Sequence, residues 1–165
     1  SVMARSEGIG HGSEFTVTLP VSAHQQLIVP QVEAGERGAG CSRVLLVEDN
    51  VDACTTLTCF LETEGHLVST AHDGVAGLAS ALDGGFDVLV CDIGLPGMDG
   101  FALIAELRRA ALAERPYAIA LSGYGQEEDR ARAVEAGFDA YLVKPVSPAA
   151  LLTAVAAGTA PNSAP

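Results

Sequence analysis

The segment VLVCDIGLPGMDG, residues 88–100, joins a run of four apolar residues to a polar turn that contains three glycines. A short apolar run bounded by polar or turn residues is typical of a strand that is buried on both faces of a parallel sheet. The same pattern recurs at residues 44–47, 118–121 and 141–143. Residues 67–71 form a more polar run, which suits a strand at the edge of the sheet. These runs predict five strands.

Helical spacing of apolar residues fills the intervals between the runs, as at Leu57 and Leu61, and Gly65 follows them as a helix cap. Strand and helix patterns therefore alternate five times, which predicts a doubly wound α/β fold with a parallel sheet. Outside this region, residues 22–42 lack a sustained period and are predicted to be a linker. Residues 158–165 are predicted to be a flexible tail.

The composition of the 165-residue chain limits its partners and its location. The net charge is -12 and the basic residues do not cluster, which argues against direct binding of nucleic acid. No apolar run approaches the ~20 residues that span a bilayer, and there is no secretion signal, so we expect a cytoplasmic protein without membrane contact. The four cysteines form no C-x-x-C pair, which predicts buried free thiols and neither disulfides nor a zinc site.

Chemically active side chains stand at the carboxyl ends of the predicted strands: Glu48, Asp49, Asp92, Ser122 and Lys144. Open parallel sheets bind ligands at this edge, so the five side chains are predicted to converge there. Three carboxylates, with no His or Cys among the converging side chains, favour Mg²⁺, with Mn²⁺ as the alternative. Beside such a metal, a carboxylate can attack phosphorus and form an acyl phosphate. The ammonium and hydroxyl groups would then stabilise the transferred charge.

Four motifs contain these residues: VLLVEDN at 44–50, VCDIGLPGMDG at 90–100, ALSGY at 120–124 and DAYLVKPV at 139–146. In order and spacing they resemble the receiver domains of two-component response regulators, over residues 43–157. The resemblance implies a flavodoxin-like (βα)5 fold with strand order 2-1-3-4-5. It also implies that a histidine kinase or a histidine phosphotransfer protein donates a phosphoryl group to this domain, which then hydrolyses it slowly.

The resemblance assigns a role to each matching site residue. Asp92 would be the phosphoacceptor. Asp49 and Asp92 would bind Mg²⁺ directly, Glu48 would bind it through a water, and the carbonyl of Gly94 would complete the protein ligands. Lys144 would pair with the phosphoryl oxygens.

The resemblance also implies a switch and an output surface. Ser122, which replaces the commoner Thr, would hydrogen-bond a phosphoryl oxygen, and Tyr141 would rotate inward when Ser122 moves. Tyr124 occupies a place that the family uses to tune the attack of water on the phosphoryl group. The output surface would comprise residues 126–137 and 141–157, although the charged run in the first of these is equally typical of a solvated helix face.

The segment SVMARSEGIGHGSEFTVTLPV, residues 1–21, carries a separate signal. Its glycines form neither G-x-G-x-x-G nor a loop that ends in G-K-[ST], so neither nucleotide-binding fingerprint is present. It resembles the last two strands of the ATP-binding domain of histidine kinases. The resemblance implies that residues 1–21 are a remnant of that domain without kinase activity. The chain would then be the C-terminal fragment of a hybrid sensor histidine kinase. The kinase core of that parent protein would be a further partner, and its upstream part would be a candidate for membrane anchoring. A stray β-hairpin is the alternative for this segment.

Other functions are open to different degrees. A phosphorylation-independent docking module and the receiver of a stand-alone response regulator both fit the motifs. A haloacid-dehalogenase-type phosphatase would need a second Asp where Gly94 stands, and a flavin or dinucleotide site would be repelled by the acidic loop at residues 48–50. Only eight residues follow Ala157, so we expect no DNA-binding domain after the receiver.

Overall fold

The structure is a computed structural model with two compact units. The residues that it describes are 1–8, 10–18, 41–110, 112, 114–123 and 127–159. Residues 22–40 of the predicted linker, Tyr124, and residues 160–165 of the predicted tail lie outside the described residues. Across the described part of the chain, no helix is both long enough and apolar enough to cross a membrane.

The first unit contains an antiparallel hairpin of β1 (Val2–Arg5) and β2 (Glu14–Val17). Every residue of both strands is exposed. Successive cross-strand pairs point to opposite faces of a hairpin; the pairs Val2–Val17 and Ala4–Phe15 share one face and are apolar, whereas the other face has the mixed pair Met3–Thr16 and the charged pair Arg5–Glu14. One face of the hairpin therefore carries Val2, Ala4, Phe15 and Val17. The pair of strands expected in residues 1–21 is present.

The second unit alternates strands with helices. In chain order its described elements are β3 (Arg43–Val47), α1 (Val51–Thr63), β4 (Leu67–Ala71), α2 (Gly74–Asp83), β5 (Val88–Asp92), α3 (Gly100–Arg109), β6 (Tyr117–Ser122), α4 (Glu127–Ala136), β7 (Ala140–Val143) and α5 (Pro148–Thr159). Neighbouring strands are parallel and lie in the order β4-β3-β5-β6-β7. Counted from β3 this is the order 2-1-3-4-5, so the predicted doubly wound, flavodoxin-like fold is confirmed.

Two helical layers bury the sheet. Helices α1 and α5 cover the face that carries Leu46 and Val90, and helices α2, α3 and α4 cover the face that carries Leu45 and Leu89. Successive strand residues point to opposite faces, and both faces are covered, so the strands read as unbroken apolar runs. Strand β4 lies at the edge of the sheet, as its polar run predicted, and its Leu67 is 59% exposed.

Side-chain caps fix where the first three helices begin. The N-caps are Asn50 for α1, Asp73 for α2 and Asp99 for α3. Each side-chain oxygen accepts a hydrogen bond from the backbone N–H three residues later, at 2.7–3.0 Å. Such caps satisfy N–H groups that the first turn of a helix leaves free. They therefore fix the residues at which the loops after β3, β4 and β5 end, at the carboxyl edge of the sheet.

Two boundaries of the second unit differ from those predicted. Ser42, at the end of the predicted linker, is buried, and its carbonyl accepts a hydrogen bond from the N–H of Leu67 (2.9 Å). Helix α5 continues to Thr159, two residues into the predicted tail. Gly158 lies within the helix and packs closely on β6, since a Cβ at this position would lie 2.6 Å from the Cβ of Tyr117.

Candidate phosphoacceptor site

The carboxyl ends of four strands meet at one edge of the sheet. Strand β3 is followed by Glu48 and Asp49, β5 ends at Asp92, β6 ends at Ser122, and β7 is followed by Lys144. The parallel register brings these ends to the same level, since Val47 pairs with Cys91 and Asp92 pairs with Leu121. The convergence expected from the sequence is therefore present in the fold.

Three carboxylates form the centre of this edge. Glu48, Asp49 and Asp92 offer oxygen atoms that all lie within 4.8 Å of one another; Glu48 and Asp92 are buried and Asp49 is exposed. The ammonium of Lys144 donates to Oε2 of Glu48 (2.6 Å) and to Oδ2 of Asp92 (2.8 Å). One ammonium against three carboxylates leaves two net negative charges. Burial makes such an excess costly unless a cation compensates it.

The donor set fits a hard divalent cation. All three side chains offer oxygen, which Mg²⁺ prefers, and Mg²⁺ usually keeps several waters. The exposed carboxylate of Asp49 leaves the cluster open to those waters on one side. A Cβ built on Gly94 would meet only the carboxylate oxygens of Asp92, at 3.7 and 4.0 Å, so no other group crowds that position. The cluster thus has the ligands, the charge and the open side of a magnesium site.

Two donors hold the carboxylate of Asp92. The backbone N–H of Gly94 donates to Oδ1 (2.9 Å), and the ammonium of Lys144 donates to Oδ2. Burial by itself lowers the pKa of Lys144, but the hydrogen bonds and charges of Asp92 and Glu48 outweigh this effect and raise the pKa above its ordinary value. Lys144 is therefore charged at neutral pH. Its peptide bond to Pro145 is cis, which an X-Pro bond permits.

Ser122 and Tyr141 lie on the same face of the sheet. The register pairs Ala120 with Tyr141 and Ser122 with Val143, and alternation along the strands puts these side chains on one side. Ser122 is 4% exposed and Tyr141 is 8% exposed, and the tyrosine belongs to the core cluster that also contains Phe138. The expected inward rotation of Tyr141 would therefore start, in this structure, from a ring that is already inside the core.

Two contacts around Glu48 were not predicted. The N–H of Asn50 donates to Oε1 of Glu48 (3.3 Å), and Nδ1 of His72 lies 3.2 Å from the carbonyl oxygen of Glu48. An Asn directly before a helical pattern is an N-cap signal, so the sequence could have indicated Asn50. His72 follows β4, and only the pairing of β4 with β3 brings it beside Glu48.

The fold and this cluster define a doubly wound α/β domain with an oxygen-ligand site at the carboxyl edge of its sheet. The family model of the response regulator receiver domain matches residues 44–156. The chain is 39% identical over 112 residues to an uncharacterized 14.6 kDa protein in the sodA1 3′ region of Leptolyngbya boryana, covering 68% of this chain and 86% of that protein. It is 36% identical over 115 residues to the transcriptional regulatory protein HprR of Escherichia coli, covering 70% of this chain and 50% of that protein.

A solved structure agrees with these relatives. The receiver domain of sensor histidine kinase PA1611 from Pseudomonas aeruginosa PAO1, which has a magnesium ion coordinated in its active site cleft, matches with a TM-score of 0.64 and 32% identity, covering 69% of this chain and 93% of that one. This chain belongs to the response regulator receiver domain family, whose members act in two-component signalling. It spans about half the length of HprR and of several other curated regulators that it matches.

Proposed function

We propose that this receiver domain accepts a phosphoryl group from a phosphohistidine onto Asp92, with Mg²⁺ bound beside it, and thereby changes a partner-binding surface. The observation that carries the proposal is the pairing of one ammonium, that of Lys144, with both buried carboxylates, those of Glu48 and Asp92, next to the exposed Asp49. The donor is a histidine kinase or a histidine phosphotransfer protein.

The transfer uses groups that already surround Asp92. One carboxylate oxygen attacks phosphorus, and the new O–P bond forms while the N–P bond of the phosphohistidine breaks. The imidazole nitrogen keeps the electron pair and takes a proton from solvent, and the product on Asp92 is an acyl phosphate. The contacts from Gly94 and Lys144 orient the carboxylate before attack. Lys144 then pairs with the phosphoryl oxygens, and the hydroxyl of Ser122 donates to one of them.

The acidic cluster would hold the metal with four protein groups. Asp49 and Asp92 would bind it directly, Glu48 through a water, and the carbonyl of Gly94 would complete the set. When bound, Mg²⁺ neutralises charge on the transferring phosphoryl group and aligns it, and Mn²⁺ has the same preference for oxygen ligands. The two net negative charges of the cluster support the binding of one divalent cation.

The output surface is proposed on α4, β7 and α5. Within α4 only Ala133 is fully buried, so few contacts set the position of this helix. Phosphorylation would act on it through Ser122 and Tyr141, which share the sheet face that α4 covers. Slow hydrolysis of the acyl phosphate would restore the starting state.

Intact-mass measurement tests the phosphoacceptor role. The protein is mixed with acetyl phosphate and Mg²⁺, and labelling is compared between wild type and Asp92→Asn. We expect one phosphoryl group on wild type, none on the variant, and little incorporation without Mg²⁺. Equal labelling of both proteins would overturn the assignment of Asp92. No labelling of either would favour a docking module that works without phosphorylation.

We further propose that the chain is part of a cytoplasmic hybrid sensor histidine kinase. The β1–β2 hairpin supports this, because an isolated two-stranded hairpin is only marginally stable in water and one with an apolar face suits the edge of a larger sheet. The reading frame upstream of Ser1 tests the proposal: a kinase core is expected there, and a start codon close to Ser1 would favour a stand-alone regulator. An ATP titration that gave micromolar binding to this chain would contradict its expected lack of a kinase site.

A further inference from the structure

One sequence pattern occurs twice in the chain, as DGVAGL at residues 73–78 and as DGFALI at residues 99–104. In each copy the Asp caps a helix and the Gly is its first residue, so that Gly74 begins α2 and Gly100 begins α3. Neither glycine has a positive φ. The backbone conformation therefore does not require glycine at either position, and the reason for it must lie in packing.

Both glycines are in close contact with backbone atoms of the segment that begins at Asp92. A Cβ at Gly74 would overlap the carbonyl oxygen of Met98 and lie 2.9 Å from the Cβ of Met98. A Cβ at Gly100 would lie 2.6 Å from the carbonyl oxygen of Asp92 and 2.9 Å from the Cα of Ile93. Backbone atoms in a packed interior cannot turn aside as the end of a flexible side chain can. A side chain at either position must therefore displace this segment or the helix start that packs against it.

The segment between these contacts is the loop of residues 93–99, which follows the phosphoacceptor strand β5. The N–H of Gly100 donates to the carbonyl of Ile93 (3.0 Å) and closes the loop, and Leu95 anchors it in the core at 6% exposure. The loop also carries Gly94, whose N–H holds Oδ1 of Asp92. The position of the loop therefore determines the positions of the backbone N–H and the backbone carbonyl of Gly94.

We propose that Gly74 and Gly100 are positioning residues of the phosphoacceptor site. Gly74 lets α2 lie against the loop and so fixes the position of the carbonyl of Gly94. Gly100 lets α3 lie against the peptide of Asp92 and so fixes the position of the Asp92 carboxylate that attacks phosphorus. The inference rests on the proposed function, because it assigns consequences to the metal ligand and to the nucleophile of that site.

The two roles predict different defects in the Ala variants. Gly74→Ala should weaken Mg²⁺ binding by about tenfold or more, the cost typical of disturbing a group that orients a metal ligand. Its labelling rate at saturating Mg²⁺ should fall less than that of Gly100→Ala, because a displaced loop moves the Gly94 N–H that holds Oδ1 of Asp92 but leaves the Lys144 contact in place. Gly100→Ala should lower the rate of labelling by acetyl phosphate at saturating Mg²⁺ by about a hundredfold, the order expected when a nucleophile is misplaced by about 1 Å.

A third glycine provides the matched control. Gly158 is also packed too closely for a Cβ, but against Tyr117 and Val88, at the opposite end of the sheet. Gly158→Ala should lose thermal stability as the other two variants do, and should keep the Mg²⁺ affinity and labelling rate of wild type. The Mg²⁺ dissociation constant is measured by titration calorimetry, the labelling rate by intact mass, and folding by circular dichroism.

The outcomes separate this inference from the proposed function. Suppose that wild type is labelled, that Gly74→Ala keeps the Mg²⁺ affinity of wild type and that Gly100→Ala keeps its labelling rate. This result would overturn the positioning roles alone. A wild type that neither binds Mg²⁺ nor is labelled would overturn both proposals. If an Ala variant does not fold, amide exchange of wild type decides: protection of the Gly100 N–H comparable to that of the β5 amides supports a pinned loop, and exchange as fast as in exposed turns contradicts it.

Discussion

Replacing Lys144 by Met removes the only lysine side chain in the chain and leaves a side chain of similar reach. The side chain of Glu48 is 1% exposed and that of Asp92 is 12% exposed. In the variant both carboxylates therefore lose the neighbouring positive charge in a region that water hardly reaches. Breaking a buried pair typically costs about 3–5 kcal/mol. The side chain of Lys144 is itself 30% exposed, and water that reaches its place reduces the loss, so we expect about 2–3 kcal/mol of destabilisation at pH 7.

The sign of the pH dependence follows from the raised pKa of Lys144. A group whose pKa is raised on folding stabilises the protein fully below its unfolded pKa and loses that contribution only as the pH rises through the folded value. The ammonium therefore contributes throughout the neutral range.

Urea unfolding followed by circular dichroism measures this effect. Arg109→Met is the control, because its exposed pair with Glu106 should contribute less than about 0.5 kcal/mol. Added Mg²⁺ should stabilise Lys144→Met more than wild type, since a bound cation supplies the compensation that the ammonium gave. A Lys144→Met protein as stable as wild type at pH 7 would refute the reasoning, and so would equal stabilisation of the two proteins by Mg²⁺.

Three further predictions concern other parts of the second unit. Burial lowers the pKa of His66 despite the nearby charge of Glu64, so the unfolded chain binds more protons and stability should fall as the pH drops below about 6.5, an effect that His66→Asn should remove in a pH series of urea midpoints. Arg108→Met should cost about 2–3 kcal/mol in the same assay, because a half-buried guanidinium that donates four hydrogen bonds is lost, whereas the largely exposed Arg115 should contribute less than about 1 kcal/mol. All four cysteines are free, and Cys59, the exposed one, should be alkylated first in a native-state mass time course; a different first site would contradict the burial pattern.

The strands and the convergence of the chemically active side chains were predictable because both depend on short sequence patterns. Each apolar run is buried on two faces, and each chemically active side chain stands where such a run ends, as Asp92 does at the end of β5. The parallel sheet alone then brings Glu48, Asp92 and Lys144 together, although 96 residues separate the first from the last. The polarity of β4 likewise indicated its edge position.

What the sequence did not show depends on the paths of loops and on packing. The low helix propensity of Gly158 favours the tail, but this residue lies within α5, where it packs too closely on Tyr117 for a Cβ. The contact between His72 and Glu48 needs the β3–β4 register, and the contact between Gly74 and Met98 needs the course of the loop after β5. The burial of Tyr141 depends on how α4 covers the sheet, which no local pattern encodes.

Chemical trapping of the phosphorylated residue tests the central claim most directly. The protein is incubated with acetyl phosphate and Mg²⁺, reduced with borohydride, digested and sequenced by tandem mass spectrometry. Reduction converts an aspartyl phosphate to homoserine, so the proposed mechanism predicts homoserine at position 92 and at no other Asp, and only when both donor and Mg²⁺ are present. Homoserine at another position, or phosphate retained on a Ser, Thr or His with Asp92 intact, would contradict it.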